Sequence, residues 1–165
     1  MEQQVVANVG KVAFSRGSVS RAEAFTHSAL AATPFTIRLI SISPRPQNSP
    51  ISCKLWHAPH IPGMYQCLSY MWGDPGSEET ILLNDQTFAV RKNLFDFLLL
   101  ARQLKLTDTS LWVDAICINQ NDILERNSQV QKMDQIYSPC TGVLIWPGSS
   151  TSGHWVRLKT SRGQE

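Results

Sequence analysis

The stretch LWVDAICINQNDILERNSQVQKM, residues 111 to 133, constrains the fold more than any other part of the chain. Leu111-Trp112-Val113 is apolar and strand-like, and it stops on a carboxylate, Asp114. A dense polar corner, Asn119-Gln120-Asn121, follows Ile116-Cys117-Ile118. Asp122 then stands where a helix N-cap belongs, with Glu125 three residues on in the capping-box position. Further along, residues 141–146 (TGVLIW) form a nearly continuous apolar run, the pattern of a strand buried in a parallel sheet. A strand, a capped helix and a buried strand in that order make a β-α-β unit, which commits the chain to an α/β sheet.

The upstream pattern extends that sheet. Residues 36–42 (TIRLISI), 51–56 (ISCKLW) and 65–70 (YQCLSY) alternate with period 2 and read as strands, the first two paired. Residues 80–83 and 86–90 form a hairpin about an Asn84-Asp85 turn. Asn93 is expected to cap a helix, with Asp96 in the capping-box position and Phe95, Leu98, Leu99 and Leu104 on its apolar face. The second helix presents Val130, Met133, Ile136 and Tyr137, with Arg126 one turn before Val130 on that face. The expected fold is an open, mainly parallel α/β sheet with flanking helices and an added antiparallel hairpin.

In such a sheet, ligands collect outside the carboxyl ends of the strands. Asp114, the Asn119-Gln120-Asn121 loop and the Trp72-Gly73-Asp74 loop all fall at that edge. Two duties compete for Asp114: a site carboxylate, or a structural one that accepts backbone N–H bonds or pairs with Arg126. Glu125 reads as a cap before it reads as a catalyst.

Composition narrows the function classes. The net charge of +2 comes from the ends, because residues 37–150 hold nine Lys/Arg against ten Asp/Glu. No basic cluster is interleaved with aromatics, so nucleic acid is not an expected partner. The longest apolar run is residues 97–101, too short to span a bilayer. Cys53, Cys67, Cys117 and Cys140 form no CxxC pair, and they read as buried free thiols in a reducing, cytoplasmic setting. Cys53, His57, His60 and Cys67 match no common zinc spacing. Residues 1–34 read as a disordered leader, with a faint presequence-like composition that would suit a mitochondrial address. Residues 149–165 read as a disordered or aberrant tail.

The segments YQCLSYMWGDP, ILLNDQTFAVRKNL and LWVDAICINQNDILERNSQVQKMDQIYSPCTGVLIW together resemble the fungal heterokaryon incompatibility (HET) domain over residues 35–148. The family pattern has Ala where this chain has Cys67, and Asn-Gly where it has Asn84-Asp85. It also continues through further helices after a Trp-Leu-Gly, where this chain has Trp146-Pro147-Gly148, so the domain is expected to be incomplete. The resemblance implies fungal non-self recognition and programmed cell death, executed through association with other proteins or with itself. It also implies a distant likeness to Toll/interleukin-receptor (TIR) domains, some of which cleave NAD. On that likeness the pocket and loop residues are Tyr70, Trp72, Gly73, Asp74, Asp114, Cys117, Asn119 and Gln120. Asp122, Glu125 and Arg126 would then serve as cap and ion-pair residues. The helix that carries the TIR catalytic glutamate has no counterpart after residue 146, so catalysis is not expected of this chain. NAD enters only in the enzymatic alternative.

Overall fold

The computed structural model describes residues 22–31, 35–60 and 62–148, and the backbone of 156–158. In chain order its strands are β1 (Thr36–Ile42), β2 (Ser52–Pro59), β3 (Gln66–Tyr70), β4 (Glu78–Leu83), β5 (Gln86–Arg91), β6 (Leu111–Trp112), β7 (Val143–Trp146) and β8 (Val156–Leu158). Helix α1 (Lys92–Gln103) joins β5 to β6, while α2 (Asp114–Cys117), α3 (Ile123–Gln131) and α4 (Met133–Tyr137) join β6 to β7.

All the described strands lie in one sheet, ordered β5-β4-β2-β1-β6-β3-β7-β8. The sheet is mixed rather than mainly parallel. Strands β6, β3 and β7 run parallel, as do β2 and β4, but β1–β2, β1–β6, β4–β5 and β7–β8 are antiparallel. The cause is the opening hairpin: β1 and β2 pair along their full length, and β1 then docks on β6 in the opposite sense. Asn84 and Asp85 both take positive φ, 50° and 64°, as the expected two-residue hairpin turn requires.

Strand β1 does not behave as a half-buried, alternating strand. Ile37, Arg38, Leu39 and Ile40 are all buried, because β1 sits mid-sheet with packing on both faces. An arginine side chain is therefore enclosed at the centre of the molecule. Helix α1 buries Leu94, Phe97, Leu98 and Leu100 on one face of the sheet, with the Phe97 ring 6.2 Å from that of Trp146. Helix α4 covers the other face through Ile136 and Tyr137, the latter edge-on to Trp112 at 5.6 Å.

Three local expectations change. Asn93 is not the cap of α1, which starts one residue earlier with no side-chain cap bond. Asn93 instead donates to Met71 O and accepts from the Trp146 indole N–H at 2.9 Å, because a part-buried indole needs an acceptor. The second helix breaks at Lys132 (φ −105°, ψ 8°), so its expected stripe splits: Ile136 is buried and Val130 is 53% exposed. Arg126 is exposed as well.

Some residues of both end segments are described. Residues 22–31, read as part of a leader, lie against β5, where Phe25 N donates to Thr87 O and Thr87 N donates to Glu23 O. Within the segment read as a tail, β8 pairs with β7; the remaining residues of both ends lie outside the described ones. No described helix is long and apolar enough to cross a membrane.

The broken helix gives a direct check. Ile136→Ala should cost about 2–5 kcal/mol in urea unfolding, whereas Val130→Ala should stay within about 0.5 kcal/mol. Equal costs would restore the continuous stripe.

Candidate functional site

The carboxyl ends of β3, β6 and β7 lie side by side, and the loops leaving them form the site. Asp114 opens α2 directly after β6. Its carboxylate accepts from the Trp72 indole N–H at 3.0 Å and from Ala115 N at 2.7 Å. Burial raises its pKa above the usual carboxylate range, against these two bonds. Trp72 is also fixed from its face, since the Arg91 guanidinium lies 5.1 Å over the ring and donates to Gly73 O at 3.0 Å. Asp114 and Arg126 therefore do not form the pair considered from sequence. The indole and a backbone amide are the partners of Asp114.

The ion pair of this region is Arg38–Glu125. The Arg38 side chain has 0% exposure, and its two terminal nitrogens meet Glu125 Oε1 at 2.5 Å and Oε2 at 2.9 Å. The same nitrogens donate to Cys117 O at 2.9 Å and Ser28 O at 2.6 Å. Glu125 Oε1 in turn accepts from Asn119 N at 2.8 Å. Asp122 caps α3 as expected, accepting from Leu124 N and Glu125 N at 3.0 Å each. Glu125 does not close a reciprocal capping box; it turns inward to the buried guanidinium. Burial works to raise the Glu125 pKa, but Arg38 and the Asn119 amide outweigh it and hold the carboxyl below its ordinary value.

The polar corner is fixed by these bonds. Gln120 Nε2 donates to Asp114 O at 3.0 Å, and Asn121 N to Asn119 Oδ1 at 3.2 Å. His27 Nε2 donates to Ile116 O at 2.8 Å, which ties the N-terminal segment to the same loop. Cys117 lies under the loop as a structural thiol, fully buried and pushed up to about 12 by desolvation. The Tyr70 hydroxyl is raised by burial and by the neighbouring Asp114 charge. Neither group is a nucleophile near neutral pH.

Four of the sequence-predicted residues line two separate cavities, while Tyr70, Trp72, Asp114 and Cys117 line neither. Gly73 and Asp74 line one of about 350 Å³ with Met71, Ser77, Lys92, Asn93, Asp96, Pro147 and Gly148. Gly73 (φ 76°) and Gly148 (φ 111°) both press on the Asn93 side chain, where a Cβ would come within 3.4 and 3.1 Å of it. Asn119 and Gln120 line the other, of about 190 Å³, together with Phe25, His27 and Phe88. Among the described residues no three His, Cys, Asp or Glu side chains are grouped to hold a metal ion, so Cys53, His57, His60 and Cys67 do not converge. Sequence reading missed Arg38 and the 23–28 segment. A lone arginine inside the apolar run TIRLISI was the available signal for the first.

Arg38→Met should destabilise by about 3–5 kcal/mol because it strands a buried carboxylate. Arg38→Met with Glu125→Leu should cost less than either change alone, and Arg126→Ala about 0.5 kcal/mol or less. Urea midpoints of the four variants decide it; a large Arg126→Ala cost would reinstate that residue as the partner. The pH dependence has a definite sign. A carboxyl held below its ordinary value of 4.5 contributes fully above that pH and loses its contribution as pH falls through the depressed value. The stability gap between wild type and Glu125→Gln should therefore be constant from neutrality down to about pH 5 and shrink below it. A gap that widens on acidification would contradict the pairing.

The family model described as Heterokaryon incompatibility protein (HET) matches residues 65–164. That range carries β3, both edge loops, Asp114 and Glu125. Heterokaryon incompatibility protein 6, OR allele, from Neurospora crassa is 31% identical over 149 residues, covering 82% of this chain and 21% of that protein. The chain thus spans about a fifth of the length of this curated relative. No solved structure matches it. With the family match extending over most of its length and over the whole carboxyl-edge site, the chain belongs to the heterokaryon incompatibility (HET) family.

Proposed function

We propose that this chain works in fungal non-self recognition, as a module that triggers programmed cell death by associating with other proteins in the cytoplasm. The family match over residues 65–164 carries the reading, since it falls on the loops that build the carboxyl edge. The name of the Neurospora relative points the same way. Partners of the module are a protein recognised as foreign, or further copies of itself.

We further propose that the domain is distantly TIR-like. Support comes from the parallel strands: taken in chain order, β3, β6 and β7 stand in the spatial order second-first-third, the opening of the flavodoxin-like doubly wound arrangement. Strands β1, β2, β4 and β5, paired in both senses, are an elaboration on one flank. Association rather than catalysis is the proposed mode, because the two enclosed edge acids have structural partners. Asp114 holds Trp72, and Glu125 holds Arg38. No cofactor is required.

Induced expression in a filamentous fungus tests this. The chain, carried in its full reading frame, should arrest growth and admit vital dye, and Arg38→Met should relieve both at equal protein abundance. Growth unaffected by the wild-type protein would contradict the reading. In parallel, purified protein incubated with NAD should release no nicotinamide above a protein-free control. Release that disappears in Asp114→Asn would replace association by catalysis.

A further inference from the structure

The smaller cavity, of about 190 Å³, has no part in that reading and has a chemistry of its own. One wall is made by Phe25, His27 and Phe88, three half-buried rings with centroids 5.1, 5.9 and 5.8 Å apart and mutual angles of 85°, 80° and 84°. The amides Asn119, Gln120 and Asn121 line the same cavity, with Thr26, Ala115 and Ile118. Their hydrogen-bonding capacity is only partly used. Asn119 Oδ1 accepts from Asn121 N, and Gln120 Nε2 donates to Asp114 O. The Asn119 Nδ2 donors, Gln120 Oε1 and the Asn121 side-chain amide have no partner among the described residues. No carboxylate, lysine or arginine among the described residues lines the space.

The electrostatics select between ligands. His27 gives its Nε2 proton to Ile116 O, so Nδ1 is an acceptor in the neutral ring. Burial lowers the pKa of that ring, against the hydrogen bond to Ile116 O. Aromatic rings and unused amide donors and acceptors around one cavity suit a flat, uncharged ring with a mixed hydrogen-bonding edge. Size agrees, since a cavity of about 150 Å³ holds a benzene ring.

We propose that this cavity binds one neutral heteroaromatic ring with an amide-like edge, the chemical class of the nucleobases. Lacking an acid at the ring, the site holds its ligand without cleaving it. Because Phe25 and His27 belong to the N-terminal segment and the amides to the 114–121 loop, the ligand would fasten the two together.

Saturation-transfer NMR on the full chain tests this with cytosine, uracil and adenine at about millimolar concentration, the range open to a ligand of so few atoms. Transfer to the base, with shifts in the side-chain amides of residues 119–121, is expected. It should fall at least about tenfold in Phe88→Leu, which keeps apolar bulk but removes the ring. Asn121→Ala, at an exposed position, should weaken binding with the fold intact and serves if Phe88→Leu does not fold. No transfer from any base, transfer unchanged in the folded variants, or preference for tetramethylammonium or toluene over the bases would overturn the proposal.

Discussion

A guanidinium with no exposure to water, at the centre of an eight-stranded sheet, sets the conditions for the rest of this molecule. Removing a charge from water is tolerable only if an opposite charge and further hydrogen bonds replace the lost solvation. Arg38 finds an opposite charge and further acceptors in one place, the carboxylate of Glu125 and the carbonyls of Cys117 and Ser28, while its buried Nε has no partner among the described residues. Each acceptor belongs to a different segment. The pair thereby fixes the start of α3, the turn after α2 and the N-terminal segment to the middle of β1. Desolvation offsets much of the attraction in such a buried pair, and what the contacts fix is geometry.

From that pair the order passes outwards to the carboxyl edge. Glu125 also holds Asn119 N, and Gln120 holds Asp114 O, so the polar corner cannot drift from the end of β6. Asp114 then positions Trp72, and Arg91 lies over the indole. On the α1 side, Asn93 ties the end of β3 to the end of β7 through Met71 O and Trp146 Nε1. A dense polar loop after a strand is therefore explained as a set of braces between three strand ends. The two cavities are the spaces those braces leave.

Much of the sheet was legible in the sequence because its strands are apolar runs bounded by strong turns. The Asn84-Asp85 hairpin and the Asp122 cap are local devices, and each appears where the residues put it. What could not be read is non-local. Arg38 and Glu125 are 87 residues apart, and nothing near either one names the other. Arg126 looked the better partner only because it was close in sequence to a helix face that the break at Lys132 abolishes. Asn93 reads as a cap by type, yet the Trp146 indole, 53 residues away, takes its side chain. Residues 22–31 lack an apolar period, and Phe25 and His27 gain meaning only beside Phe88. The mixed character of the sheet was hidden for the same reason, since strand direction depends on where β1 docks.

If the Arg38–Glu125 pair joins the N-terminal segment, the 114–121 loop and α3 into one unit, these should open together. Native-state hydrogen exchange of individual amides tests that most directly. Protection of Phe25, Thr87 and Asn119 N–H should share a single opening free energy in the wild type. All three should fall together in Arg38→Met, while the amide of Cys67, in the parallel core, keeps its protection. Three unrelated opening energies, or loss at Asn119 with Phe25 and Thr87 unchanged, would show that the buried pair braces only its nearest loop.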